Sequence, residues 1–240
     1  MKAAEVRELA RGSLHDRWGG AVLNTFLALL MGATVLGYAS GYASVYGHIS
    51  QWTGEGYSAA AQILGVIGTI LSIVSLIIGG AVNLGIVEYH QRLAFHKEAD
   101  TYVLVSYFKD HFTEAFLTNL LVDLFVLLWS LLLVIPGIVM AYAYSMTFFL
   151  MQENPDLKAM DAIRASRAMM KGRKWKLFCL DLSFIGWALL CALTAGLGNL
   201  LLMPYVMQAH TIFYNNARWE QTEAQQADAV SEPAGSEGTV

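Results

Sequence analysis

Residues 115–151 read AFLTNLLVDLFVLLWSLLLVIPGIVMAYAYSMTFFLM, a run of 37 residues with one charged side chain, Asp123. A helix crossing a bilayer needs about 20 apolar residues, so the run is too long for one crossing. Pro136-Gly137 marks where it divides, because proline breaks a helix and glycine permits a turn. The expectation is two spans, over 115–135 and 138–151, joined by the Ile-Pro-Gly-Ile turn. The second is short for a span, so local thinning of the bilayer or an extension into the headgroups is expected with it.

The distribution of charge supports that division. All 15 Lys and Arg residues fall in four short patches, and none occurs between Trp18 and Gln91. A cation is costly in hydrocarbon, and cytoplasmic loops retain the Lys/Arg excess. Four bases precede a first apolar segment over 19–36, and three follow a second over 59–87. Seven more follow the divided run, and one lies beyond two further segments over 177–195 and 199–213. Six spans put every base on one side. A single undivided span would place Lys158, Arg164, Arg167, Lys171, Arg173, Lys174 and Lys176 outside, against the positive-inside rule.

The expected fold class is therefore all-α: a polytopic transmembrane bundle of six spans with interfacial amphipathic helices, forming a single domain over 1–216. It belongs in the cell membrane as a multi-pass protein with both termini cytoplasmic. The first seventeen residues place Val6, Leu9, Ala10 and Leu14 at helical spacing, which reads as an interfacial helix. Residues 37–58, rich in Gly, Ser and Tyr and without a base, are expected outside. Gly65, Gly68, Gly79, Gly80 and Gly85 suit close helix packing in lipid. Between 153 and 176 a basic amphipathic helix is expected, with Asn154 as cap, Pro155 in first position, Leu157, Met160, Ile163 and Met170 on its apolar side, and Gly172 as its stop. Pro204 should kink the last span, and residues 217–240 are polar and acidic enough to read as a disordered cytoplasmic tail.

Composition excludes several classes. With 56% hydrophobic and 14% charged residues and a mean hydropathy of +0.47, the chain is too apolar for an ordinary soluble domain. The net charge of −4 gives no footprint for nucleic acid. Cys179 and Cys191 lie on one expected helix, too far apart to bridge. No HExxH, CxxC, Walker, GxGxxG or GxSxG pattern is present, so neither a metal, a cofactor nor a catalytic residue is expected.

Several stretches in order carry a family resemblance: WSLLLVIPGIVMAYAYSM, ENPDLKAMDAIRASRAMMKGRKWKLF, LSFIGWALL and Pro204-Tyr205, with SLHDRWGGAV and IGGAVNLG before them. Over roughly residues 5–216 the chain resembles the bacterial integral membrane family called domain of unknown function 975. That family is distantly similar to the membrane domains attached to some glycerophosphodiester phosphodiesterases. The resemblance implies a multi-helix fold in the cell membrane and brings no established activity and no catalytic residue. Asp181 departs from it, standing where a neutral polar or apolar residue is expected.

Two groups of side chains remain as candidates. Arg164, Arg167, Lys171, Arg173, Lys174 and Lys176 form a basic cluster suited to anionic lipid headgroups, since a juxtamembrane base gains about 1 kcal/mol near an anionic leaflet; the competing reading is topology determination alone. Asp123 is an intramembrane acid with Asn83, Asn119, Gln208 and His210 as possible partners. The competing reading is an acid facing a neighbouring helix or water. The function expected is a non-enzymatic membrane scaffold, or a protein that meets membrane lipids or a membrane protein partner through a basic cytoplasmic face. The alternative is a small transporter or lipid-handling protein that uses Asp123 and His210 in one intramembrane polar cavity.

Overall fold

The structure is a computed structural model that describes residues 1–31, 59–193 and 198–231. The expected outer segment over 37–58, the end of the first span and most of the Gly196-Leu197-Gly198 turn lie outside those residues. Every regular element described is helical: α1 (Ala3–Leu14), α2 (Trp18–Leu30), α3 (Ala59–Ala94), α4 (Val103–Asp110), α5 (Phe112–Leu132), α6 (Val134–Tyr144), α7 (Thr147–Glu153), α8 (Ala159–Met169), α9 (Lys174–Leu182), α10 (Ile185–Leu193) and α11 (Asn199–Ser231).

Three stretches are long and apolar enough to cross a membrane: Ile73–Ala94 in α3, Phe112–Leu132, which is α5, and Ile135–Glu153 across α6 and α7. The long apolar run does divide, but three residues before the proline. Leu133 is extended, with φ −162° and ψ 141°, and it separates α5 from α6. Pro136 explains the position. In a continuous helix its ring would clash with the carbonyl four residues back, which belongs to Leu132, the last residue of α5. Starting a new helix at Val134 puts Pro136 in the first turn, where a missing N–H breaks no helical bond. The fourth expected span thereby lengthens from 138–151 to Ile135–Glu153.

Helix α3 is the axis of the bundle, packed against α1, α2, α4, α5, α7 and α11. Over its apolar window 56% is buried, against 17% for α5, so α5 stands at the flank. Leu124, Leu127, Leu128, Leu131, Leu133 and Ile135 are exposed there. Two of the expected packing glycines set the approach of α3 to its neighbours. A Cβ on Gly80 would strike the Ala115 carbonyl, and one on Gly85 would come within 2.6 Å of Leu104 Cα. Gly137 closes the α5–α6 hairpin in the same way, lying against Ser130.

Four expectations are corrected. Helix α1 does form, but Val6, Ala10 and Leu14 are buried at 2, 0 and 0% exposure because α1 packs on α11, α3 and α9. It is part of the core, and only Leu9 of its apolar set stays exposed. The basic helix starts at Ala159, not at Pro155: Asn154 closes α7 through its N–H to the Leu150 carbonyl at 3.0 Å, and the free Ala159 N–H donates to Glu114 of α5 at 3.2 Å. A carboxylate brought from another helix takes the capping role given locally to Asn154. The apolar face of α8 is Ala159, Ala162, Ile163, Ser166 and Met169, while Met160 is exposed. The fifth expected span breaks at Ser183-Phe184 into α9 and α10, neither long enough to cross a membrane.

The fourth correction is the tail, which is helical as far as Ser231 because α11 runs through the sixth expected span, with Pro204 inside it, and on past Trp219. Its continuation is braced where Tyr214 stacks on Phe149 at 4.9 Å and donates to Glu153 at 2.8 Å. Arg218 pairs with the same Glu153 at 3.0 Å.

Overpacking a tight helix contact costs about 1–3 kcal/mol. Gly80→Val should therefore lower the thermal midpoint of the purified protein by several degrees. Gly19→Ala, which meets nothing within 4 Å, should leave it nearly unchanged. Equal midpoints for the two variants would show that α3 does not need its glycine contacts.

Candidate functional site

Of the seven bases between 158 and 176, Lys158 stands just before α8 and the other six are distributed over α8, α9 and the turn between them. Gly172, at φ +79°, makes that turn possible, since a left-handed backbone suits glycine. Arg164, Arg167 and Lys171 are exposed on or beside α8, Lys176 is exposed on α9, and Arg173 and Lys174 are half-buried. Arg173 is committed within the fold: its Nε donates to Glu220 of α11 at 3.0 Å and its Nη1 to the Met169 carbonyl at 3.0 Å. The second bond satisfies a carbonyl at the end of α8, where positive charge also suits the helix dipole. Burial pushes the Glu220 carboxyl up, but hydrogen bonds from Arg173 and Asn216 and the nearby charge of Lys176 outweigh it, and the net displacement is downward.

Arg164 has a weak surface partner in Asp161 at 3.4 Å. Among the described residues Arg167, Lys171, Lys174 and Lys176 make no ion pair. Between the last two stands Trp175, 71% exposed and stacked on Phe178 at 5.1 Å. An aromatic ring between free cations is the combination found where protein meets a headgroup layer. A shallow recess beside it, between α1, α9 and α11, is lined by Val6, Arg173, Lys176, Phe213 and Glu220. Sequence reading found the bases. It missed the contribution of α1 to this end of the molecule, although burial of Val6, Ala10 and Leu14 follows from the same spacing that suggested an interfacial helix.

The expected intramembrane polar set separates into three groups. Asp123, on the exposed side of α5, accepts from Asn119 Nδ2 at 3.2 Å, and Asn119 Oδ1 accepts from Asn83 at 3.4 Å. His210 lies elsewhere, its Nε2 bonded to Asp181 Oδ1 at 2.6 Å, with Tyr142 donating to Asp181 Oδ2 at 2.9 Å. Gln208 is paired with His90 at 2.8 Å. Asp123 therefore has Asn83 and Asn119 for company, as expected, and neither Gln208 nor His210. Asp181, where the resemblance implies a neutral polar or apolar residue, joins α6, α9 and α11 through both carboxylate oxygens.

The environment of Ser166 gives it a structural task. Its hydroxyl donates to the Ala143 carbonyl at 2.9 Å and accepts from the Met146 N–H at 3.2 Å, fully buried. It pins α8 to the turn between α6 and α7. Cys179 and Cys191 are free thiols, and among the described residues no three His, Cys, Asp or Glu side chains gather as a metal site.

The region that holds the basic helices, the α5–α6 break and the start of α11 is also the region that matches a known family. Residues 130–221 match the family model described as Protein of unknown function (DUF975). The match confirms the resemblance from the last turn of α5 to just beyond Trp219, and it leaves the amino-terminal motifs outside its bounds. No curated protein and no solved structure matches the chain.

Removing a partner of a buried hydrogen-bonded group costs about 1–3 kcal/mol. Asp181→Leu removes the acceptor of the Tyr142 hydroxyl and the partner of His210 Nε2 and should lower the thermal midpoint clearly, whereas Asp181→Asn keeps an acceptor and should lose less. Identical loss in the two variants would mean that the hydrogen bonds at Asp181 do not hold α9 to α6 and α11.

Proposed function

We propose that this chain is an integral membrane protein of six spans with both termini in the cytoplasm. Its role is non-enzymatic: it holds a basic inner surface against anionic lipids, where a membrane partner can also dock. The observation that carries this reading is the set of four cations with no ion pair among the described residues, Arg167, Lys171, Lys174 and Lys176, with exposed Trp175 between the last two. It lies on a bundle whose flank is bare leucine and isoleucine. Exposed apolar surface on that scale calls for lipid, and unpaired bases beside it call for phosphate. The helices too short or too polar to count by composition alone, α2, α9 with α10, and α11, make up the remaining three spans. Their ends carry the bases that the positive-inside rule assigns to one side.

The transporter alternative needs Asp123 and His210 in one cavity. Each has its own partners on different elements, so no observation favours that reading over the lipid-contacting one.

Two measurements test the proposal. In a chain freed of Cys179 and Cys191, cysteines placed at Ser50 and Ala165 should label from opposite sides of the membrane; labelling from the same side refutes six spans. Native mass spectrometry of protein released from mixed phosphatidylglycerol and phosphatidylcholine should show retained phosphatidylglycerol. Replacing Arg167, Lys171, Lys174 and Lys176 together by Gln should abolish that preference, since each base contributes about 1 kcal/mol. An unchanged lipid ratio would reduce the cluster to a determinant of topology.

A further inference from the structure

Helices α2, α3 and α11 pack on one another, and their common seam contains three polar side chains with no exposure at all: Asn24, His90 and Gln208. His90 Nδ1 and Gln208 Oε1 are 2.8 Å apart. An amide oxygen only accepts, so Nδ1 carries the ring proton and Nε2 is left as an acceptor. That Nε2 meets no donor, the Gln208 NH2 meets no acceptor, and both atoms of the Asn24 amide are unmatched among the described residues. Reversing the Gln208 amide changes nothing in this count. It would hand the proton to Nε2 and leave one donor and one acceptor orphaned as before.

Register brings Asn24 to the same seam. Ala21, three residues before it, belongs to the apolar cluster of Val87, Tyr205 and Ala209, and Ala28, four residues after it, to that of Val82 and Ile86, on which Met207 packs. Asn24 shares that face of α2 and lies between these two clusters along the helix.

Unmatched polar groups deep in an apolar bundle are costly. Apolar residues of similar size would avoid that cost, so three such groups on three mutually packed helices point to a ligand that completes them. The set defines its chemistry. It contains no charge, which argues against an ion, and it offers donors and acceptors together. The ligand must be small and uncharged, and must both donate and accept.

We propose that Asn24, His90 and Gln208 form a site for bound water within the bundle, with water donating to His90 Nε2 and accepting from the amide groups. Buried water commonly makes about three such bonds. The inference needs only the burial of these helices and stands apart from the lipid-contact reading.

A crystal structure of the full chain at a resolution that shows ordered water tests it. Density for water should lie within hydrogen-bond distance of His90 Nε2 and of the Asn24 and Gln208 amides, and Asn24→Leu with Gln208→Leu should remove it. A dry seam in the unaltered chain overturns the proposal, and so does density that survives the double substitution. If the double variant does not fold, Asn24→Leu alone provides the same comparison with a smaller perturbation.

Discussion

The clash between the Pro136 ring and the Leu132 carbonyl is the constraint on which the rest of the architecture depends. It ends α5 at Leu132 and restarts the helix at Val134. The two halves of a 37-residue apolar run then fold back on each other instead of continuing as a rod. Gly137 lets the hairpin close onto Ser130. Once α6 returns along α5, the chain leaves α7 at the same end of the bundle at which α5 began. Glu114 at the start of α5 can then reach the Ala159 N–H at the start of α8. The position of the basic helix, fixed further by Ser166 against Ala143 and Met146, is thus a consequence of a proline more than twenty residues upstream.

What the sequence made legible was whatever depends on local chemistry or on long apolar stretches. The helical class, the division of residues 115–151, the close-packing glycines of α3, and the turn at Gly172 all follow from residue type and spacing. The misplaced features share a different cause. Asn154 and Pro155 have the composition of a helix start, but a carboxylate from α5 supplies the cap, and no local pattern encodes that. The segment after Trp219 is polar enough to read as disordered, yet it continues a helix already formed and anchored through Tyr214, Arg218 and Glu220. Helix propagation costs far less than nucleation, so an anchored helix can extend through residues that would not start one.

The same contrast applies to the candidate sites. The basic cluster was visible because Lys and Arg are rare in this chain and gather together. Which bases are free was not, since Arg173 is taken up by Glu220 from a helix about fifty residues away in sequence. His90 belongs to no motif in the sequence, and Gln208 stands out there only as a possible partner for Asp123. Only their full burial and mutual bond set them apart.

Asp181 shows why an acid where a resemblance implies a neutral residue has to be weighed against its partners. A carboxylate placed among α6, α9 and α11 with no partner would be destabilising. Here it accepts from Tyr142 and bonds His210, and α9 is one of two short helices broken at Ser183-Phe184. A short, interrupted segment has less backbone continuity to hold its place than α3 or α5. A three-way polar contact supplies a fixed position that apolar packing alone, being non-directional, does not specify. Tyr142 also meets Phe178 of α9 edge-on at 5.9 Å, so the same tyrosine fixes the segment by packing and by hydrogen bonding. The acid that looked like an irregularity is the directional contact at the weakest stretch of the helical framework.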